Sequence, residues 1–345
     1  MKRLLNIFLT VVLVAVCAFG LTACKTPDET GDKKEGVLIK KEKGIYVVYD
    51  YVDDGKLTDG VLDLGKVLEQ KGITTQVKIK SGAFDGADNI NKLIVPDTVV
   101  EIQEGAFRKM SNLYELHVPF IGLNAKADAQ YEQTDATEGK AVDNETTIAH
   151  FFGTEVYDGG ATLTNYFGTF YVPFTLSKVV VNATANVDYS VINTGDNGQV
   201  KVVKEGYAIP SRAFEGATTI QTVELVDNGN IKEIGEYAFY GCSALTKITI
   251  PTTVNKIYNN AFVDCKNLKE VSVLGSGVVL GENVFVGCGK MDKLNSQTQL
   301  TLDLGAFSAI GYKAFDFGRD KVEFNVLNKG TFNLNDILGQ TKVKN

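Results

Sequence analysis

The chain has 345 residues, with 35 Lys and Arg against 42 Asp and Glu, a formal net charge of −7, two His and no Trp. That balance has the wrong sign for neutralising phosphates, which argues against a nucleic-acid partner, and the scarcity of His removes the usual reagent of acid–base and metal chemistry. With 44% hydrophobic and 10% aromatic residues, all Phe or Tyr, the chain can still build a sizeable core.

Lys2 and Arg3 open the chain, an almost wholly apolar stretch runs from Leu4 to Phe19, and Leu21-Thr22-Ala23-Cys24 follows. Charge, length and small-residue exit predict a signal peptide over residues 1–23, whose removal takes the net charge to −9. The end of this segment resembles the bacterial lipobox, a Leu-small-small-Cys signal. That resemblance implies cleavage between Ala23 and Cys24 and lipid attachment at Cys24, whose thiolate is the nucleophile that takes up the diacylglycerol. An ordinary secretory leader and an uncleaved anchor are the alternatives, but the apolar stretch is shorter than the roughly 18 to 20 residues of a membrane span. Two or three acyl chains, at about 0.8 kcal/mol per buried methylene, would make a membrane the first partner of the mature chain. Residues 24–36 then comprise the lipidated Cys and a charged, aperiodic tether with a random-coil reach of roughly 20 Å.

Residues 37–76 fit no repeat and are assigned to an N-terminal cap. Asp50, Asp53, Asp54 and Gly55 suggest a calcium loop, yet an EF-hand aligned on Gly55 would have Val52 and Val61 at ligand positions. They read as a turn between strands.

Self-similarity decides the rest. An aliphatic residue, three spacers, Ala or Val, then Phe occurs seven times: Ile79/Ala83/Phe84, Ile102/Ala106/Phe107, Ile209/Ala213/Phe214, Ile234/Ala238/Phe239, Ile257/Ala261/Phe262, Leu280/Val284/Phe285 and Ile310/Ala314/Phe315. The Phe-to-Phe steps are 23 from Phe84 to Phe107, then 25, 23, 23 and 30 from Phe214 to Phe315. The pattern predicts a mainly β solenoid over residues 77–327, with about 23 residues per coil, each coil burying its apolar side only against its neighbours. Alternation at Leu93 and Val95, Ile248 and Ile250, and Val271 and Val273 predicts one short strand per coil, stacked into a concave parallel sheet. Pro96, Pro119 and Pro251 close the strand because Pro cannot donate to the ladder.

The order Ile-Pro, Val-x-x-Ile, Ala-Phe, Cys, Leu in KITIPTTVNKIYNNAFVDCKNL (247–268) resembles the BspA-type, or Treponema-type, leucine-rich repeat of bacterial surface proteins. The IAHFFGT segment (148–154) and YVPFTLSKVVV (171–181) are similar to the degenerate unit found inside such arrays. The resemblance covers roughly residues 77–320. It implies a leucine-rich-repeat fold and an adhesin-like role toward an extracellular protein or glycan. One stretch departs from it: between Phe107 and Phe214 a regular array would hold four or five units, so about 120–178 is assigned to an irregular inserted unit, with 122–147 as an emerging loop. Residues 328–345 are assigned to a C-terminal cap or tail.

Cys242, Cys265 and Cys288 are spaced by 23 and form one column of adjacent coils. Column neighbours do not converge on a tetrahedral point, and a free Cys behaves as a small hydrophobe, so buried thiols are expected over a disulfide or a metal. His117 and His150 have no nucleophile and carboxylate at a recognisable spacing. No catalytic residue, cofactor or metal is assigned. The candidate ligand face is the outward side of the strands: Lys92, Ile94, Glu115, His117, Val180, Glu224, Lys247, Thr249, Glu270 and Ser272. It is mixed in charge and lacks an aromatic platform. A structural spacer without a discrete ligand is the alternative function, and an enzyme would need a paired set of carboxylates that the sequence gives no reason to form.

Overall fold

The computed structural model describes residues 35–57, 59–125, 144–183, 188–195, 198–318 and 323–344, with only the backbone for 188–205. The signal peptide, Ala23, Cys24, nearly all of the tether and most of the 122–147 loop lie outside the described residues.

Alternating strands with one apolar face stack because each buries that face only when another coil covers it. Among the described residues, eleven parallel strands form one long sheet. It runs from Val61–Asp63 through Lys92–Ile94, Glu115–Val118, Lys178–Val181, Thr222–Leu225, Lys247–Ile250, Glu270–Val273, Lys293–Leu294, Thr301–Asp303 and Glu323–Leu327 to Lys342–Val343. Register follows the repeat: Lys247 faces Glu270, Ile248 faces Val271 and Ile250 faces Val273. Ile248 and Ile250 point inward and are 1% and 0% exposed, while Lys247 points out.

The sequence reading names one strand per coil; the structure has two. The Val-x-x-Ile segments form a second set of parallel rungs, Val77–Ile79 and Val99–Ile102 in the first half and Tyr207–Ile209, Ile231–Ile234, Lys256–Ile257, Val278–Leu280 and Phe307–Ile310 in the second. These strands have two to four residues, too short for alternation to reveal.

At the third side of the coil, the Ala-Phe turns stack through the backbone. Phe214, Phe239, Phe262 and Phe285 donate their N–H groups to the carbonyls of Ala238, Ala261, Val284 and Ala314 in the next coil, at 2.7 to 2.9 Å. The residue before each Ala or Val sits in the left-handed region, with φ of 60° at Arg212, 56° at Tyr237, 60° at Asn260, 53° at Asn283 and 53° at Lys313. That reversal lets the turn direct its amides along the solenoid axis instead of within the coil. The rings follow the backbone: Phe214, Phe239, Phe262 and Phe285 stack nearly parallel, with centroids 5.0, 4.8 and 5.3 Å apart. Beneath them the Sγ atoms of Cys242, Cys265 and Cys288 donate to the carbonyls of Phe214, Phe239 and Phe262, one coil back, at 3.0, 3.1 and 3.1 Å. All three thiols are free and buried, and burial pushes the Cys265 thiol well up from its ordinary pKa.

The middle holds one irregular unit, as the break in the repeat indicates. A single irregular coil bridges Phe107 and Phe214: Phe107 N–H donates to Phe151 O at 2.8 Å, and Ile148 N–H donates to Ala213 O at 2.7 Å. The surplus chain leaves the stack as two antiparallel hairpins, Gly160–Asn165 with Gly168–Pro173, and Asp188–Gly195 with Gly198–Glu205. The first hairpin is seated on the solenoid. A Cβ at Gly216 would meet Thr164 O at 2.1 Å, so this position takes no side chain. Arg212 completes the seat, its guanidinium carbon 4.4 Å from the ring centroids of both Tyr166 and Tyr237 and its Nη1 2.9 Å from Glu215 Oε1.

The ends also differ from the assigned boundaries. Val61–Asp63 and the helix Leu64–Gln70 already belong to a coil, because Val61–Asp63 pairs with Lys92–Ile94. What precedes them is an antiparallel hairpin, Gly36–Glu42 with Ile45–Val52, whose second strand pairs in parallel with Val77–Ile79. At the other end the helix Leu334–Leu338 takes the place of the next Ala-Phe turn, Phe315 N–H donating to Ile337 O at 2.8 Å.

Phe262 is fully buried between two rings. Phe262→Ala is expected to cost about 3–5 kcal/mol of unfolding free energy. In a quasi-one-dimensional stack the loss of amide-exchange protection should concentrate in the two flanking coils. Urea unfolding followed by hydrogen exchange checks both, and a uniform loss of protection would contradict the nearest-neighbour picture.

Candidate ligand-binding face

The outward side of the long sheet presents one residue per coil from the first strand position and one from the third. Along the first column the register places Lys92 beside Glu115, Glu115 beside Lys178, and, past Thr222, Lys247 beside Glu270 and Glu270 beside Lys293. Opposite charges directly across a ladder attract, as in any cross-strand pair.

Three of the expected residues meet in one cluster. Glu115 Oε1 accepts from Lys92 Nζ at 3.0 Å and lies 2.6 Å from His117 Nε2 and 3.3 Å from Lys178 Nζ. Lys178 also reaches Glu224 at 3.5 Å. Burial favours the neutral acid at Glu115, but the bonds from His117, Lys92 and Lys178 outweigh it and hold the carboxyl at about 2, against an ordinary 4.5. The carboxylate is therefore ionised at neutral pH and can only accept, so His117 Nε2 carries the proton of that bond.

Lys247 and Glu270 form a separate pair at 2.5 Å. Thr249 and Ser272 are in register with each other in the third column. Sequence reasoning took Val180 from this strand and left out Lys178, two residues earlier on the same face and in register with Glu115. Two expected outward residues are buried instead. Val180 is 5% exposed, since a short side chain in register between the longer His117 and Glu224 sinks between them. Glu115 is 9% exposed, enclosed by the three groups that bind it. Neither offers itself to a ligand, which leaves Lys247 and Glu224 as the more accessible charges.

The other singled-out residues have local partners. His150 is packed inside the irregular coil, its Nε2 3.0 Å from Ile102 O. Asp53 Oδ1 accepts from Gly55 N and Asp54 Oδ1 from Lys56 N, as in a turn. Among the described residues no group of three His, Cys, Asp or Glu is placed to hold a metal ion, and no helix is long and apolar enough to cross a membrane.

Two parallel sheets, a stacked Ala-Phe turn and a coil of about 23 residues define a leucine-rich-repeat solenoid. The chain belongs to the family of the BspA type leucine rich repeat region, whose model matches six copies over residues 73–138 and 192–317 and skips the irregular coil. Solved structures that resemble it include the leucine rich repeat protein of T. pallidum, at 13% identity and a TM-score of 0.30, covering 75% of this chain and 91% of that one. A leucine-rich repeat protein from Bacteroides ovatus shares 15% identity at a TM-score of 0.32, covering 89% of this chain and 75% of that one. A leucine rich cell surface protein from Faecalibacterium prausnitzii shares 14% at 0.34, covering 88% and 77%. No curated protein matches the chain.

Because the folded pKa of Glu115 lies below its unfolded value, the cluster contributes stability that is fully present above about pH 4.5 and is lost as pH falls toward about 2. Glu115→Gln should lower stability at neutral pH and flatten the acid limb of the stability curve between those values, measured by urea unfolding across pH. An unchanged slope would remove Glu115 from the cause of acid sensitivity.

Proposed function

We propose that the chain is a lipid-anchored protein of the bacterial cell envelope whose solenoid binds an extracellular protein or glycan through the outward face of its long sheet. The observation that carries this reading is the long sheet itself. Its side chains stand at fixed spacing in parallel register, and cross-coil ion pairs already hold several of them, so little ordering remains to oppose association. The Leu21-Thr22-Ala23-Cys24 signal supports the anchor, and acylation at one Cys followed by a charged tether would stand the solenoid off a bilayer. Binding, not catalysis, is the reading, since among the described residues the acids on this face, Glu115, Glu224 and Glu270, are each paired with a lysine.

A passive spacer is the second reading. The same ion pairs favour it, because a face whose charges satisfy one another exerts little long-range attraction.

The mature chain, immobilised and exposed to extracellular matrix proteins, mucins and bacterial envelope extract, is expected to bind one of them saturably, and Lys247→Glu with Glu224→Lys should weaken a protein ligand several-fold while the solenoid stays folded, the lost pairs with Glu270 and Lys178 lowering the melting temperature only slightly. Absence of saturable binding to all three overturns the reading, and indifference to both reversals favours the spacer. In cells, labelling with a fatty-acid analogue should be lost in Cys24→Ala; retained label would overturn the anchor.

A further inference from the structure

One concave feature of the solenoid lies away from the long sheet. Where the second set of rungs turns into the Ala-Phe corner, beside the irregular coil, lies an open groove of about 550 Å³. Its walls are the side chains of Ser81, Gln103, Glu104, Arg108, Thr154 and Glu155. Its floor is backbone, at Gly105 and Gly153, over a Phe152 ring that is 1% exposed.

The bare floor sets the first half of the solenoid, where Gly82 and Gly105 precede the Ala, apart from the second. Gly105 holds the left-handed position before Ala106, at φ 65°, where later coils carry Arg212, Tyr237, Asn260, Asn283 and Lys313. Those coils project a side chain at this corner; this one projects none. Gly153, at φ 79°, comes from the FFGT segment that replaces the regular turn. The groove thus exists because two coils lack a side chain where the fold has room for one.

The walls are polar and held. Gln103 Nε2 donates to Glu101 Oε1 at 3.1 Å, and its Oε1 accepts from Ser81 N at 3.3 Å. Glu155 is drawn in by Lys109 at 2.5 Å, and the hydrogen bond from that lysine holds its carboxyl below the usual range. Arg108 Nη2 donates to Asp85 Oδ2 at 2.8 Å, and its buried Nε has no hydrogen-bond partner. Glu104 is exposed and makes no ion pair among the described residues.

We propose that this groove binds a neutral sugar unit of a glycan, with Glu104 and Glu155 accepting from its hydroxyls and Arg108 donating to them. An apolar ligand finds no exposed apolar wall, an anion meets two carboxylates, and a bare cation meets the Arg108 guanidinium. A hydroxyl both donates and accepts, so it matches a lining of fixed acceptors and fixed donors placed side by side. The floor of peptide backbone suits a pyranose ring laid flat, which a side chain at position 105 would lift away. This site lies apart from the long sheet, so it goes beyond the reading given above and stands or falls separately.

Gly105→Asn fills the groove with a residue the fold accepts, since Asn already occupies this position at Asn260 and Asn283, and the added Cβ would meet only Arg108 Cδ at 3.7 Å and Ser81 Oγ at 4.0 Å. Glu104→Gln removes one acceptor charge from an exposed residue and leaves the packing untouched. The full chain is tested against gastric mucin, the same mucin after periodate cleavage of its vicinal diols, and a printed array of neutral oligosaccharides. Wild type is expected to bind the native mucin and a subset of the array, to lose the periodate-treated mucin, and to weaken at least tenfold in Gly105→Asn and severalfold in Glu104→Gln, while Lys247→Glu binds the sugars as wild type does. Binding that survives periodate, no binding to any printed sugar, or full binding by both groove variants with unchanged melting temperatures would overturn the proposal. Saturable binding of a matrix protein that is sensitive to Lys247→Glu, with no sugar binding, would defeat the groove and leave the long-sheet reading in place.

Discussion

The amide of one Ala-Phe turn bonding to the carbonyl of the next is the contact on which this solenoid depends. Both sheets of a coil pair their backbones as strands do, but the third side has no strand, and an unpaired buried N–H there would cost about 1–3 kcal/mol per coil. The left-handed residue before each Ala or Val turns the following amides along the axis, so the corner stacks as regularly as the sheets. Once the backbones are that close, the rings have one arrangement left to them, which is why Phe214 to Phe285 lie nearly parallel near 5 Å. In the first half, which has glycines at the corner and the irregular coil beyond, Phe84 and Phe107 are 5.8 Å apart and tilted by 60°. The three thiols follow from the same constraint. Each fills the slot beneath a ring and adds a donor to the preceding Phe carbonyl, a second acceptor bond that an alanine could not supply.

How legible all this was depended on whether a feature repeats. The seven Ala-Phe or Val-Phe pairs, the inward isoleucines and the column of cysteines recur at about 23 residues within each run of regular coils, so period alone placed them on one side of one coil. The second set of strands recurs just as faithfully, yet two to four residues are too few to distinguish a strand from a turn, and Val-x-x-Ile read as spacing. The middle was the reverse case. Its break in period marks one irregular unit, but nothing in it says that two hairpins carry the surplus, because that choice is fixed by contacts at a distance: Gly216 under Thr164, and Arg212 between Tyr166 and Tyr237.

The candidate face shows a finer version of this limit. Alternation correctly sends Lys92, Glu115 and His117 to the outer side of the sheet, but outward does not mean available. Lys178 joins them from the irregular coil, and with its arrival Glu115 becomes the centre of an ion-pair cluster in place of a surface acid. Removing one partner from such a cluster leaves the remaining charges unpaired, which costs more than the cluster itself contributes. A residue list read from register therefore mixes groups that hold the sheet together with groups that face a ligand, and only burial separates them.

A periodic fold also shows where something other than stacking has been selected. Every coil could in principle carry a side chain at the left-handed corner, and from Arg212 onward every coil of the Ala-Phe series does. In the first half Gly82 and Gly105 leave that corner bare, Gly153 of the irregular coil adds no side chain beside Gly105, and polar side chains converge over the gap. Stability does not ask for this: Gly is the costliest residue to order, and at φ 65° an Asn would serve, as it does two coils from the C-terminal end of the stack at Asn283. A vacancy that the fold could fill with a residue it uses elsewhere, rimmed by fixed donors and acceptors, has the physical marks of a place kept open for something else.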